Sequence, residues 1–495
     1  MNQLLFERAS GTLGPNVFAK LEATRLLSSF RPAPHIRFNG GETGSAIDNG
    51  ESSSRGSSAV NPGQEQHVWA HQAGVNALAL ERFDGRLLLS GGSDATIRLW
   101  DLEQCANPTN YHVYKPAAQI DRSDDKTKAH RFGITQLSFY PFDPGAFLSS
   151  SYDQTLKLWE TDTVQMSGSW DLESKIYTHA ISPIADHLLV ACGTAHPAIR
   201  LVDLRTGAAI QSLVASGQVG AGGGAVLALA WSPRHEHVLA SGNLDGTVRI
   251  WDVRRASGPV GLLDQEDSLG IVRRGGSIEG STIGDRNIRS SAKAHYGPVN
   301  GLTWTDDGAY IVSAGHDERI RVWDAATGAN TLASFGPSIR NSQLASVPMF
   351  TTPVGLTPPR KELLFWPNET EILVMELHEG TIVTRLRGLG ANITGVKAQR
   401  GGERSVKNRV TSLVWRGAGG SGGSRGGVPG GSNAPGGIYS GHTDGQIRAW
   451  LPHLQGNDKE DEDGTSEVAQ QEKTQKRKAI DDAYKSLMGQ KITFT

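Results

Sequence analysis

One interval constrains this chain more than any other: an Asp, then a Trp six residues later, with strand-forming residues between them. It reads Asp245-Gly-Thr-Val-Arg-Ile-Trp251. It recurs as Asp94-Ala-Thr-Ile-Arg-Leu-Trp100, Asp153-Gln-Thr-Leu-Lys-Leu-Trp159, Asp317-Glu-Arg-Ile-Arg-Val-Trp323 and Asp444-Gly-Gln-Ile-Arg-Ala-Trp450. Asp245-Gly246 is a turn dipeptide, and Val248, Ile250 and Trp251 are residue types that suit a pleated, half-buried strand. Five copies of a turn and a strand at one internal spacing make a repeat protein.

Two further positions recur. A Ser stands four residues before each Asp: Ser90, Ser149, Ser241, Ser313 and Ser440. A His leads three of the repeats: His71, His130 and His295. Ser, His and Asp invite a hydrolase reading, but a nucleophilic triad is needed once, at one cleft. Here the set returns repeat after repeat, always with a Trp. The structural reading is a hydrogen-bond chain in which Asp accepts from His, His meets Ser, and Ser meets the indole N–H. No catalytic residue is assigned, and the chain is expected not to be an enzyme.

The spacing also counts the repeats. Asp94 to Asp153 holds one unit, whereas Asp153 to Asp245 and Asp317 to Asp444 each leave room for a degenerate one. The third unit is Leu188-Leu-Val-Ala-Cys192 with Ile199-Arg-Leu-Val-Asp203. The sixth is Leu363-Leu-Phe-Trp366 with Glu371 to Met375 and Thr381 to Val383. Seven units of short strands predict an all-β chain closed into a seven-bladed propeller over residues 65–455. Segments 264–292, 336–359 and 417–437 are expected to be insertions. Val68-Trp69 precedes the first full repeat and is expected to complete the last blade, hiding a sheet edge. This pattern resembles the WD-repeat family, whose members are platforms without catalysis.

The flanks differ in character. Residues 1–32 read as a helix–loop–helix arm. Leu4, Leu5 and Phe6 form a short amphipathic piece broken by Gly11 to Pro15. Asn16 is expected to cap a second helix carrying Val17, Phe18, Leu21, Leu26 and Leu27, which Arg31-Pro32 ends. The arm either packs on its own domain or docks in a partner's groove. Residues 33–64, rich in Gly, Ser and Asn from residue 39, read as a flexible linker. Residues 456–495 read as a flexible, charged C-terminal tail.

Composition removes several function classes. Net charge is −2, so no global basic field recruits nucleic acid, and no direct sequence-specific contact with it is expected. Two cysteines, Cys105 and Cys192, are no disulfide scaffold and suit a reducing compartment. The first ten residues carry Glu7 and Arg8 and are no signal peptide. No apolar run approaches ~18 residues, so no membrane contact is expected.

Smaller signals stay ordinary. His235-Glu236-His237 lacks further ligands for a metal, and neither metal nor cofactor is expected. The Gly tract 417–437 holds only Arg425 and no aromatic ring, which is poor for single-stranded nucleic acid. Asp458 to Asp463 is a solvated acidic run. Lys473-Thr-Gln-Lys-Arg-Lys478 is either a nuclear import signal or the charged start of a helix. Ala479 to Ser486 is a short amphipathic segment.

Three stretches carry a narrower resemblance. Trp231-Ser-Pro-Arg234 through Asp252-Val-Arg-Arg-Ala-Ser-Gly258 to Leu263-Asp-Gln265, Leu148 to Trp159, and Leu4-Leu-Phe-Glu-Arg8 with Leu21-Glu-Ala-Thr-Arg25 resemble the Cockayne syndrome A family. Asp482-Ala-Tyr484 is similar to that family's tail, while the insertions depart from it. The resemblance implies a nuclear substrate receptor of a cullin-4 RING ubiquitin ligase in transcription-coupled nucleotide excision repair. Its implied partners are the ligase's damage-binding adaptor protein, a Cockayne syndrome B-type repair ATPase and stalled RNA polymerase II. On that reading Leu4, Leu5, Phe6, Phe18 and Leu21 are apolar anchors in the adaptor. Trp251-Asp-Val-Arg254 matches the family's Trp-Asp-x-Arg box, so Arg254 faces an acidic group there, against the plainer reading of a surface ion pair. The other exits read Asp-Leu-Glu, Glu-Thr-Asp and Asp-Ala-Ala. The alternatives are a chromatin or signalling scaffold outside ubiquitin transfer, and an enzyme acting in the propeller channel.

Overall fold

The fold follows from a hairpin that each repeat encodes locally. In the computed structural model the Asp of each clear repeat sits in a tight turn between two antiparallel strands, such as Val238–Asn243 and Val248–Asp252. The structure describes residues 2–453 except 42–68, 106–109, 122–127, 185–186, 206–209, 215–223, 256–257, 267–291, 389–392, 398–402, 407 and 418–435. The expected tail, Asp458 to Asp463, Lys473 to Lys478, Ala479 to Ser486, Val68 and most of the linker and of the Gly tract lie outside the described residues.

Seven antiparallel sheets form the blades of a β-propeller. Within a blade the first strand is innermost and later strands follow outward, as in Ile134–Phe139, Ala146–Ser151, Thr155–Glu160 and Met166–Asp171. Hydrophobic side chains fill the spaces between blades. One cluster joins Leu89 and Ile97 of the first blade to Ile134, Phe147 and Trp159 of the second. Trp100, Trp159, Trp251, Trp323 and Trp450 are all buried. The degenerate units take their expected places as the third and sixth blades, with Leu189–Thr194 and Ile199–Asp203 in one and Leu363–Asn368 and Glu371–Glu376 in the other.

The ring closes differently from the expectation. The last blade is completed by Phe30–Pro32, with Phe30 opposite Pro452 and Pro32 opposite Trp450. Trp69 lies in a loop, outside any strand. Phe30 wins because its ring is buried among Phe365, Leu386 and Trp450, whereas Trp69 stays exposed. Arg31-Pro32 therefore do not end a helix but form a strand, and Pro at an edge costs no ladder bond on its outer side.

The supposed linker 33–64 also begins as packed chain. Ile36–Phe38 pairs in parallel with His112–Tyr114, and Phe38 stacks on Tyr114 at 4.8 Å while meeting Trp100 edge-on at 5.2 Å. Segment 336–359 is likewise no simple insertion. It buries Ile339 and Met349 and supplies Phe350–Thr351, the innermost strand of the sixth blade. A hairpin of Ile393–Lys397 and Glu403–Val406 was not anticipated. The fifth blade is the exception in depth: Val299–Trp304, Tyr310–Gly315 and Arg319–Asp324 make a sheet of three strands.

Candidate functional site

The recurring polar residues meet in each blade. In the second, His130 Nε2 lies 2.7 Å from Ser149 Oγ, Trp159 Nε1 donates to the same oxygen at 2.8 Å, and His130 Nδ1 lies 3.0 Å from Asp153. In the fifth, His295, Ser313, Asp317 and Trp323 repeat this with each distance at 2.8 Å. The first blade varies it. His71 Nδ1 bonds Thr96 Oγ1 at 2.8 Å, with Asp94 at 3.4 Å, while Ser90 still joins His71 to Trp100. Burial pulls the imidazoles of His71, His130 and His295 below their ordinary pKa, so they stay neutral. Burial opposes ionisation of Asp94 and Asp153, but hydrogen bonds from His and Thr win and hold both carboxyls well down.

Two blades without a leading His correct the expected chain. In the fourth, Trp251 bonds Ser241 at 2.9 Å, but Asp245 accepts from Thr247 Oγ1 at 2.6 Å and pairs with Arg249 at 2.9 Å. In the seventh, Asp444 accepts from Arg448 at 2.6 Å and Asn408 at 2.7 Å, and His442 bonds Ser440 at 2.7 Å. His442 stands two residues after the Ser, where Asn243 stands in the fourth blade. Blades with a leading His have Gly92, Ser151 or Gly315 there instead. A Cβ on Gly92 or Gly315 would come within 2.6 Å of the imidazole Nδ1 of His71 or His295. The small residue makes room for the His, and the larger residue fills the space where the His is missing.

A fifth position recurs in the same repeats. A basic residue follows each Asp by four: Arg98, Lys157, Arg249, Arg321 and Arg448. Arg321 pairs with Asp317 at 2.8 Å as Arg249 and Arg448 pair with their own Asp. Arg98 instead donates to the Ala70 carbonyl, and Lys157 to that of Ala129 at 3.1 Å. These networks hold turns. Elsewhere, His237 stacks on His187 at 5.6 Å and pairs with Glu236 at 3.0 Å, and the described residues contain no grouping of three His, Cys, Asp or Glu that would hold a metal.

The surfaces left for partners begin with the arm. Helix α1 spans Asn2–Ala9 and helix α2 spans Pro15–Ser28. Gly14, not Asn16, is the N-cap of α2, because Pro15 takes the first helical position where its missing N–H is harmless. Leu27 is buried against the sixth and seventh blades, and the Ser28 carbonyl accepts from Thr384 Oγ1 at 3.1 Å. The outer part stands free of that cluster: Leu5 is 48% and Phe6 73% exposed, with Leu4, Phe18 and Leu21 half-buried.

Arg254 shares the arm's side of the ring. The third strand of each of the five clear repeats runs from its Asp turn to the opposite face. Asp252 ends one such strand and Pro452 another, and Phe30 enters opposite Pro452. The side chain of Arg254 is 65% exposed and forks onto Asp252, with Nε to Oδ1 at 3.0 Å and Nη2 to Oδ2 at 2.9 Å. On the other face, the channel mouth forms a cavity of about 290 Å³ lined by Asn76, Tyr152, Tyr177, Asn341, Glu369 and Arg409 among others.

Comparison with known proteins matches the WD domain, G-beta repeat family to residues 63–101, 124–160, 213–252 and 287–324. WD repeat-containing protein ATCSA-1 of Arabidopsis thaliana is 31% identical over 329 residues, covering 55% of this chain and 70% of that protein. Ribosome biogenesis protein ytm1 of Aspergillus terreus is 28% identical over 276 residues, 52% of this chain and 54% of that protein. Radiation-sensitive protein 28 of Saccharomyces cerevisiae is 25% identical over 202 residues, 41% and 40%. The chain thus spans about half or less of these last two relatives. The repeats, the propeller and the Arabidopsis match agree: the chain belongs to the WD-repeat family of which that plant protein is a member.

Proposed function

We propose that this WD-repeat protein is a nuclear substrate-recognition subunit of a cullin-4 RING ubiquitin ligase, acting in transcription-coupled nucleotide excision repair. One observation supports it above the rest: a helical arm with exposed apolar side chains rises from the strand that closes the ring. Leu4, Leu5, Phe6, Phe18 and Leu21 would enter a groove of the damage-binding adaptor protein. Arg254 would meet an acidic group of the same partner, keeping Asp252 to orient its planar guanidinium. The Asp-turn face then remains for a Cockayne syndrome B-type ATPase at stalled RNA polymerase II. The subunit performs no chemistry; WD-repeat propellers are typically scaffolds, and this one holds a substrate near ubiquitin at raised effective concentration.

A second reading, an assembly scaffold in ribosome biogenesis, has support in the similarity to ribosome biogenesis protein ytm1. Affinity purification of the full chain and of a chain lacking residues 1–29, before and after ultraviolet damage, separates the two. The ligase reading expects adaptor and cullin with the full chain and neither with the truncated one. Pre-ribosomal particles with both chains, and no adaptor with either, would sink it.

A further inference from the structure

The fifth blade has an open edge. Six blades carry four strands, but Arg319–Asp324 is the outermost strand of a three-stranded sheet among the described residues. The chain after Thr327 begins to pair with it: the N–H of Thr331 donates to the Val322 carbonyl at 2.9 Å, and that of Asp324 to Ala329 at 2.9 Å. Pairing then stops. Leu332 adopts φ 61°, a left-handed conformation unfavourable for a side chain of its kind, and is 68% exposed. The turn carries the chain away before it reaches Ile320.

Outward-facing backbone groups alternate along a strand. Val322 and Asp324 use theirs on residues 329–331, so those of Ile320 face the same edge, and no backbone group among the described residues meets them. In the first blade the equivalent Ile97 is opposite Ile120 of a fourth strand. Ile320 is only 3% exposed and lies at the floor of a hollow. A groove of about 520 Å³ is lined by Arg319 to Arg321, Tyr296 and residues of 330–336.

The lining chooses the occupant. Arg321 is engaged by Asp317 and Gln265, whereas no carboxylate among the described residues pairs with the exposed Arg319. The groove therefore carries a net positive charge. Arg319 and Arg321 project on one side of the sheet, and Ile320 and Val322 on the other, towards the apolar cluster with Phe335. A strand added here presents alternate side chains to these two environments.

We propose that the outer edge of the fifth blade binds an extended segment of a partner protein as a fourth strand, one with acidic residues at alternate positions and β-branched residues between. Main-chain bonds to Ile320 supply affinity, and Arg319 supplies selectivity. An unpaired stretch of edge otherwise invites uncontrolled pairing, and the charge of Arg319 restricts which strand enters.

The test uses the full chain and a fluorescein-labelled peptide of alternating Glu and Val, with a Lys and Val peptide as its counterpart, read by fluorescence anisotropy. The acidic peptide should bind and weaken with salt, while the basic one should bind at least about tenfold less tightly. Arg319→Glu, a surface change, should reverse this preference. N-methylation of the acidic peptide at alternate Val residues should abolish binding, because it removes the ladder donors. Ile320→Pro should do the same from the protein side. Equal binding of both peptides, indifference to Arg319→Glu, or indifference to N-methylation would overturn the proposal. So would binding seen only after removal of residues 268–290, which would give the edge to the chain's own insertion.

Discussion

Phe30 lies directly opposite Pro452 in an antiparallel pair, so the strand that follows the helical arm completes the final blade. The ring's seam and its candidate docking arm are thus neighbours on the chain. The buried ring of Phe30 meets Phe365 edge-on at 6.4 Å and lies in the cluster joining the sixth and seventh blades. Phe30→Ala is expected to cost about 3–5 kcal/mol, read as a lowered midpoint in chemical denaturation. Removing residues 1–26, which spares the buried Leu27, should leave that midpoint nearly unchanged, whereas removing residues 1–38 should lower it at least as far as Phe30→Ala.

The arm itself should be separable from stability. Phe6→Asp places a charge on a side chain that is 73% exposed in the isolated chain. It is expected to shift stability by less than about 0.5 kcal/mol while abolishing capture of the ligase adaptor. An unaltered pull-down would remove Phe6 from the proposed contact.

The fourth blade tests the ion pair that replaces a His. The Arg249 side chain is only 6% exposed and is held by Asp245. Asp245→Ala also strips the acceptor from the N–H and hydroxyl of Thr247. A loss of about 2–3 kcal/mol is expected from buried donors left without that acceptor. Thermal unfolding measures it, and an unchanged midpoint would contradict the structural role.

The exchange between the leading His and the residue after Ser predicts a coupling. Gly92→His should be strongly destabilising, because its Cβ would lie 2.6 Å from His71 Nδ1. Adding His71→Gly should recover part of the loss, reproducing the seventh blade, where His442 serves Ser440. A double-mutant cycle should return a coupling of about 1–3 kcal/mol. Additive effects would mean that the two positions do not share one space.

Acid should weaken the ring before its carboxylates titrate. His71, His130, His295 and His442 all have pKa values lowered by burial, and that of His179 falls to about 3 between Ser138 and Ser150. Unfolded, each binds a proton near pH 6.5. Between the folded and unfolded values the unfolded chain holds more protons, so stability is full above about pH 6.5 and falls as pH drops below it. The midpoint should therefore decline between about pH 6.5 and 5, and His179→Asn should flatten the slope.

Much of this was readable from local spacing. The interval from Asp94 to Trp100, five times repeated, fixes a hairpin whose partners are close in the chain, and its apolar alternation fixes which face is buried. The Ser–Trp pairing followed from the same regularity. The compensation of His71 by Gly92, and of a missing His by Asn243 or His442, was written in the repeats but needed the spatial overlap of two positions far apart in each unit to become visible.

The sequence by itself thus determined the number of blades, the hairpin of each clear repeat and the Ser–Trp bond behind it, because those contacts are local. Only the tertiary structure decided that Phe30–Pro32 rather than Trp69 closes the ring, and that Ile36–Phe38 packs where a linker was expected. It also decided that the fifth blade stops at three strands. Each depends on segments distant in the chain competing for one edge. The outcome follows from which side chain finds a buried pocket there, and no residue spacing records that.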